Sequence, residues 1–152
     1  MRRFICLLLA VVLVNTLTIY IQAAENDTQE DSVIFLENGD YIVVKVIEQI
    51  NRSINGKNGT KYHIYHRSDG TAKWQAVLKA TFIYTGSSST CTDASCDVTI
   101  YDSSYYLISK NASRSGNAAY GTVTVGHKIL GITATQNTIN LTLTCDVNGN
   151  LS

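Results

Sequence analysis

Apolar and polar residues alternate along most of the chain after residue 32, which is the pattern of β-strands that bury one face. In the longest such segment, Ala72 to Tyr84, every even-numbered position from Trp74 onward is apolar. In the clearest one, Thr138 to Cys145, the odd-numbered positions are apolar and the even-numbered ones are threonine or asparagine. Both segments are therefore predicted to be strands with one face in a core.

Six further segments have strand character because they are short, rich in β-branched or aromatic residues, and bounded by turn residues. They lie at 33–36, 41–50, 61–67, 96–100, 105–109 and 120–129, separated by Asn-, Gly- and Ser-rich segments that are predicted loops, at 51–60, 86–95, 111–117 and 130–136. No segment requires a helix. Seven or eight short strands of this kind predict an all-β fold, an antiparallel β-sandwich, with a β-barrel as the alternative.

The N-terminal residues follow a different pattern. Arg2 and Arg3 precede an apolar run from Phe4 to Ile21, and small residues follow at Ala23 and Ala24. This order predicts a secretory signal peptide over residues 1–24, a flexible acidic segment over 25–32, and a single domain over 33–152. The alternative is an uncleaved membrane anchor, since the run is 18 residues long, which is close to the length of a span.

The nearly neutral net charge of the chain argues against two classes of partner, nucleic acids and anionic lipids. The whole chain has 12 basic and 12 acidic residues, and loss of Arg2 and Arg3 leaves the predicted mature chain at about −2. A nucleic-acid-binding surface needs a strong basic excess, and attachment to anionic lipid needs the same. We therefore expect no nucleic acid partner, and contact with a membrane only through an uncleaved N-terminal segment.

Three cysteines stay in the predicted mature chain: Cys91, Cys96 and Cys145. An exported chain can form disulfides, and an odd number of thiols leaves one unpaired. A bridge to Cys145 closes a longer loop than a Cys91–Cys96 bridge and so removes more entropy from the unfolded chain. We favour Cys91 as its partner, with Cys96 free or as the alternative partner. No spacing of thiols and histidines predicts a metal site.

Catalytic motifs are not recognisable in the sequence. His63 and His66 are three residues apart in a predicted strand, which places their side chains on opposite faces. His127 has no partner that the sequence identifies, and no Gly-x-Ser-x-Gly motif surrounds any serine. We therefore assign no catalytic residue and no cofactor.

Tyrosines provide the candidate binding residues. Tyr101, Tyr105 and Tyr106 cluster around the polar turn that begins at Asp102. Exposed rings beside polar groups can stack on sugars or anchor a protein partner. The alternative is that these rings shield the strand edges.

Short motifs from about Trp74 onward resemble a group of small secreted proteins of uncharacterised role from Gram-positive bacteria. The matching segments are Phe82 to Gly86, Cys91-Thr92, Val98 to Asp102, Ser109 to Ser113, Ser115 to Asn117 and Leu141 to Asp146. The resemblance implies a signal peptide, a β-rich exported domain and a Cys91–Cys145 bridge, and it implies no activity. Cys96 departs from the pattern.

The sequence thus predicts a secreted, non-enzymatic β-sandwich that binds at the cell envelope or outside the cell. Cell-wall glycan and a protein partner are both candidate ligands. The alternatives are a small secreted hydrolase that uses His63, His66 or His127, and a bacteriocin-like or immunity protein.

Overall fold

Eight antiparallel strands form two sheets in the computed structural model, which describes residues 29–50 and 55–152. The strands are β1 (Gln29–Phe35), β2 (Tyr41–Ile50), β3 (Gly56–His66), β4 (Ala72–Tyr84), β5 (Ser89–Ile100), β6 (Tyr105–Ser115), β7 (Ala118–Ile129) and β8 (Ile132–Thr144). The larger sheet has the order β1-β2-β3-β4-β5, and the smaller one β6-β7-β8. The sheets do not close on each other. The prediction of an all-β sandwich is confirmed, and the barrel alternative is wrong.

The core lies between the two sheets, and β4 contributes most to it. Trp74, Leu78 and Phe82 are fully buried on the face of β4 that the alternating pattern predicts. Side chains of β7 and β8 meet them from the smaller sheet, among them Val123 and Leu141. Burial of each large side chain stabilises the fold by about 2–3 kcal/mol, so this pairing of faces fixes how the sheets stack.

The two sheets differ in width, and the larger one extends past the smaller on one side. A Cβ atom at Gly59 of β3 would contact Leu143 of β8, so β8 lies opposite β3. The strands β1 and β2 therefore extend beyond the edge of the smaller sheet. Leu151 lies against β2, where its amide donates to the Glu48 carboxylate at 3.1 Å.

Several strands are longer than the sequence predicts. The predicted loops at 51–60, 86–95, 111–117 and 130–136 each contribute residues to β3, β5, β6 or β8. The last four residues of the predicted flexible segment 25–32 belong to β1, where Gln29 to Ser32 pair with Val44 to Ile47. These polar segments are held by ladder hydrogen bonds to a neighbouring strand rather than by burial, so they lack an alternating pattern.

The predicted signal peptide at residues 1–24 and the first part of the acidic segment lie outside the described residues. Within residues 29–50 and 55–152, no helix has the length and apolar character that a membrane span requires.

Candidate functional site

An aromatic row crosses the outer face of the larger sheet at one end. It consists of Phe35 at the end of β1, Tyr41 at the start of β2, His66 at the end of β3, and Tyr101 just after β5. The register pairs Phe35 with Tyr41, Tyr41 with His66, and His66 with Ala72 of β4. Side chains directly opposite on neighbouring strands share a face, so hairpin register alone aligns these rings.

Three rings of the aromatic row, those of Phe35, Tyr41 and His66, contact one another in sequence. Tyr41 and His66 are stacked, with centroids 4.8 Å apart and planes within 5°. Phe35 is tilted against Tyr41 at 6.0 Å and is 77% exposed. The His66 Nδ1 atom lies 3.0 Å from the Gly70 carbonyl oxygen, which can only accept, so Nδ1 carries a proton and donates it to this carbonyl.

A depression of about 680 Å³ lies between His66 and Tyr101. Ala72 sits between the two rings, and its small side chain leaves the space that a larger residue would fill. Val43 and Ile64 make the remaining apolar surface. Apolar walls with a few polar groups at the margin are the usual composition of a site for a small organic group.

Polar groups lie at the margin of this depression. Lys45 lines it and forms an ion pair with Asp31 at 3.2 Å. The Tyr101 hydroxyl donates to the Gln75 side-chain oxygen at 3.2 Å, and Tyr101 is 52% exposed. The depression therefore has apolar surface in its centre and balanced charge at its rim, which suits an uncharged ligand that carries hydroxyl groups.

A buried carboxylate fixes the backbone beneath the aromatic row. Asp40 accepts hydrogen bonds from the Tyr65 hydroxyl, from the Ser68 amide at 3.0 Å and from the Asn38 side chain at 2.9 Å. Burial by itself raises the pKa of the Asp40 carboxyl, but these hydrogen bonds outweigh it and hold the pKa below its ordinary value. The contacts join the β1–β2 turn to the β3–β4 turn, which flank Tyr41 and His66.

The three tyrosines of the predicted binding cluster do not share a surface. Tyr105 is only 5% exposed, and its ring stacks on His127 with centroids 4.5 Å apart. The Tyr106 hydroxyl lies 2.6 Å from the Thr133 hydroxyl, on the smaller sheet. Tyr105 is therefore a core residue, and Tyr101 is the member of this cluster that lies in the aromatic row.

The three histidines are also dispersed. His63 is buried between the sheets, where its Nδ1 atom has no hydrogen-bond partner. Burial, with the nearby charge of Lys61, lowers the pKa of His63 to about 4, so its ring is neutral at pH 7. His66 lies on the opposite face of β3, and His127 lies on β7. No carboxylate among residues 29–50 and 55–152 forms a hydrogen bond with any of these rings.

All three cysteines in the described residues are buried free thiols. The Cys91 amide donates to the Gly116 carbonyl, and the Cys145 amide donates to that of Asn117, so both lie beside the β6–β7 turn. Cys96 lies beside Gly121 instead. Burial raises the pKa of each thiol, which makes them poor nucleophiles. The Cys91–Cys145 bridge stays a prediction.

No metal-binding group of three or more His, Cys, Asp or Glu side chains forms within the part of the chain that is described. Of the aromatic row, Tyr101 was predicted as a binding residue and His66 only as a candidate of the hydrolase alternative, whereas Phe35 and Tyr41 were not predicted. The contact between Phe35 and Tyr41 could have been predicted from the short turn at Glu37 to Asp40 between two strand segments. A hairpin with this turn places Phe35 opposite Tyr41.

No protein-family model, no curated protein and no solved structure matches this chain. The resemblance to small secreted proteins of Gram-positive bacteria stays a prediction.

Proposed function

We propose that this chain is a secreted, non-enzymatic module that binds a neutral glycan outside the cell. The observation that carries the proposal is the depression between His66 and Tyr101, which has an apolar floor and two aromatic walls. A pyranose ring has apolar C–H faces and hydroxyl groups around its edge. Its faces can stack on the two rings, while its hydroxyl groups can hydrogen-bond to the Tyr101 hydroxyl and to Lys45.

Charge supports a neutral ligand. Lys45, the cation in the lining of the depression, is already paired with Asp31, so a carboxylated or phosphorylated polymer finds no unpaired cation there. The rigid floor supports the same function, because the Asp40 hydrogen bonds fix both turns before the ligand arrives. Binding then loses little conformational entropy.

Export is part of this proposal. It is supported by the basic, apolar and small-residue order of residues 1–24. In an oxidising compartment we further propose a Cys91–Cys145 disulfide, since both residues lie beside the same turn. Sequencing of the chain recovered from culture medium should give an N terminus close to Glu25, and recovery of the intact chain from cytosol would contradict export.

Affinity electrophoresis through gels that contain neutral polysaccharides, namely a β-glucan, a mannan and a xylan, tests the glycan proposal. We expect at least one polymer to retard the chain, and we expect Tyr101→Ala and Ala72→Leu each to restore free migration. Tyr120→Ala is the matched control, because Tyr120 is an exposed tyrosine of the smaller sheet. Absence of retardation in all gels, or retardation that survives both site variants, would contradict the proposal.

The hydrolase alternative is not proposed, because no two histidines meet a carboxylate in one cleft among the described residues. The geometry offers no specific support for a bacteriocin-like or immunity function.

A further inference from the structure

The hairpin between β7 and β8 projects beyond the third strand of the smaller sheet. The ladder between β6 and β7 ends at His127. Past this residue, β7 pairs with β8 alone among the described strands, and Ile129 pairs with Ile132 across a two-residue turn. Every residue from 128 to 138 is exposed. This end of the hairpin therefore has no core beneath it.

The end of this hairpin is apolar. Leu130 is 98% exposed, and Ile129 and Ile132 on either side of the turn are both more than half exposed. These three residues are called the apolar tip. None of them packs in the hydrophobic core of the described residues. Adjacent aliphatic side chains that stay in water do not stabilise a fold, and such patches mark sites of interaction.

The backbone of the turn is a second, independent indication. Leu130 and Gly131 both have positive φ, 52° and 81°, which is the pattern of a type I′ turn. Asparagine is the usual residue at the first of these positions, because its short polar side chain tolerates left-handed backbone. A leucine side chain is strained in that conformation. Leu130 is thus unfavourable for both backbone conformation and solvation, and the fold offers no compensation for it.

The base of the hairpin is held in place by an amphipathic pair. The ring of Tyr106 lies across Gly126, where a Cβ atom would overlap it. The Tyr106 hydroxyl lies 2.6 Å from the Thr133 hydroxyl, and the Lys128 Nζ atom lies 4.6 Å from the ring centre. Tyrosine and lysine have apolar bodies and polar ends, so they suit the boundary between hydrocarbon and water. This pair follows directly behind the apolar tip.

We propose that the apolar tip inserts into the surface of a lipid bilayer. Its three side chains enter the acyl chains, while Tyr106 and Lys128 lie among the headgroups. Residues 133–138 of β8 carry no charge, so this strand can approach the headgroups without loss of ionic hydration. Insertion removes apolar surface from water and needs no excess of positive charge, so a zwitterionic bilayer suffices. Because only three side chains insert, binding is weak and reversible.

A bilayer fits the apolar tip better than a partner protein or a second copy of this chain. A stable protein interface usually buries about 800 Å² of each partner, which is far more than three side chains and a turn present. Residues 133–138 add no large apolar side chain to that area. The tip is also convex, so a protein would need a matching pocket, whereas acyl chains rearrange around it.

The inference does not rest on glycan binding, because the depression between His66 and Tyr101 lies on the larger sheet. From charge, the sequence predicts membrane contact only through an uncleaved N-terminal segment. Insertion of the apolar tip is driven by removal of apolar surface from water, so it adds a contact that net charge does not predict.

Tryptophan fluorescence of the full chain, with vesicles of brominated phosphatidylcholine, tests the proposal. Bromine atoms on the acyl chains quench only those rings that enter the hydrocarbon. Trp74 is the single tryptophan of the wild-type chain and is buried, so its emission should persist. We expect Ile132→Trp to add an emission that the vesicles quench. Tyr120→Trp is the matched control, because it places an exposed tryptophan on the outer face of the smaller sheet, where emission should persist.

The readout is local, so it reports on the hairpin even where the N-terminal segment also binds the vesicles. If Ile132→Trp does not fold, Ile129→Trp replaces it. Leu130→Asn, made in the tryptophan variant, is decisive because it removes the most exposed side chain and introduces the residue that the turn prefers. It should weaken partition into the vesicles by about tenfold. Its unfolding temperature should stay equal or rise.

Several outcomes would overturn the proposal. They are absence of quenching in a folded tip variant, equal quenching in Tyr120→Trp, and quenching that survives Leu130→Asn. A lower unfolding temperature in Leu130→Asn would also overturn it, because Leu130 would then serve the fold. Sedimentation without lipid tests for a second copy. A wild-type dimer that Leu130→Asn dissociates would mean that another copy of the chain covers the apolar tip.

Discussion

The Tyr65 hydroxyl donates to the buried Asp40 carboxylate, and this hydrogen bond joins the end of β3 to the β1–β2 turn. Tyr65 also stacks on Trp74, with ring centroids 5.3 Å apart, so one side chain connects a turn, a strand and the core. Burial, followed by the hydrogen bond to Asp40, raises the pKa of Tyr65, and the phenol keeps its proton and stays a donor. The aromatic row lies on the opposite face of the same strands and depends on this fixed backbone.

Removal of that hydroxyl should therefore destabilise the fold. We expect Tyr65→Phe to lower the free energy of unfolding by about 1–3 kcal/mol, because Asp40 stays buried and loses a donor. Urea denaturation at pH 7 measures this. Tyr101→Phe, which removes an exposed hydroxyl, should change stability by less than about 0.5 kcal/mol. Equal effects of the two substitutions would contradict the assigned role of Tyr65.

The same hydrogen bonds predict an acid dependence. The pKa of Asp40 is lower in the folded chain than in the unfolded chain. The Asp40 carboxylate therefore stabilises the folded chain fully above its unfolded pKa, about 4, and this stabilisation is lost as pH falls through its folded pKa. We expect the difference between the wild-type chain and Tyr65→Phe to shrink below about pH 4. Denaturation curves at a series of pH values check this, and a difference that is constant down to pH 2 would argue against a charged Asp40.

The sequence was sufficient to predict the fold class and the buried face of the longest strand. The alternation from Trp74 to Tyr84 identified that face correctly, because a strand packed against a second sheet needs apolar side chains on its inner face. Polar segments such as 89–95 were wrongly predicted to be loops. Backbone hydrogen bonds to the neighbouring strand hold them in the sheet, and such bonds leave no alternation of apolar and polar side chains in the sequence.

The candidate site was harder to predict than the fold. The aromatic row depends on which residues of β1, β2, β3 and β4 lie opposite one another, and register follows from turn geometry rather than from composition.

His63 should make stability depend on pH in a higher range. Its pKa is lowered from 6.5 to about 4 on folding, so its neutral ring favours the folded chain above pH 6.5, and this contribution is lost as pH falls toward 4. We expect the free energy of unfolding to fall over that range by at most about 3 kcal/mol. His63→Leu should flatten the dependence without loss of stability at pH 7, because it also removes the unpartnered Nδ1 atom.

His66→Gln is the control for that experiment, because His66 lies on the outer face and its substitution should preserve the slope. Thermal or urea denaturation between pH 4 and pH 7 gives the slopes for all three chains. A slope in His63→Leu that equals the wild-type slope would show that another group is responsible.

The cysteines give a prediction about the exported chain. Cys91 and Cys145 lie beside one turn, whereas Cys96 lies beside Gly121, about 13 Å further along β7. A non-reducing peptide map of the chain from culture medium should show a Cys91–Cys145 bridge and a free Cys96. Reduction should then lower the free energy of unfolding by about 2–4 kcal/mol.

Cys96→Ala serves as the control for the bridge, since it should leave the peptide map and the effect of reduction unchanged. A bridge between Cys91 and Cys96, or three free thiols in the exported chain, would contradict the pairing.

The packing of the last residues against β3 can be tested at Gly59. A Cβ atom at this position would lie 2.9 Å from Leu143 and would overlap Leu151, so Gly59→Ala forces both leucines to move. We expect a loss of about 1–3 kcal/mol in the free energy of unfolding, as for other overpacked cores.

Leu151→Ala also destabilises alone, but in the double variant it makes room for the new methyl group. The combined loss should therefore be smaller than the sum of the two single losses by at least about 0.5 kcal/mol, measured by urea denaturation of all four chains. Strict additivity would mean that Leu151 does not pack over Gly59.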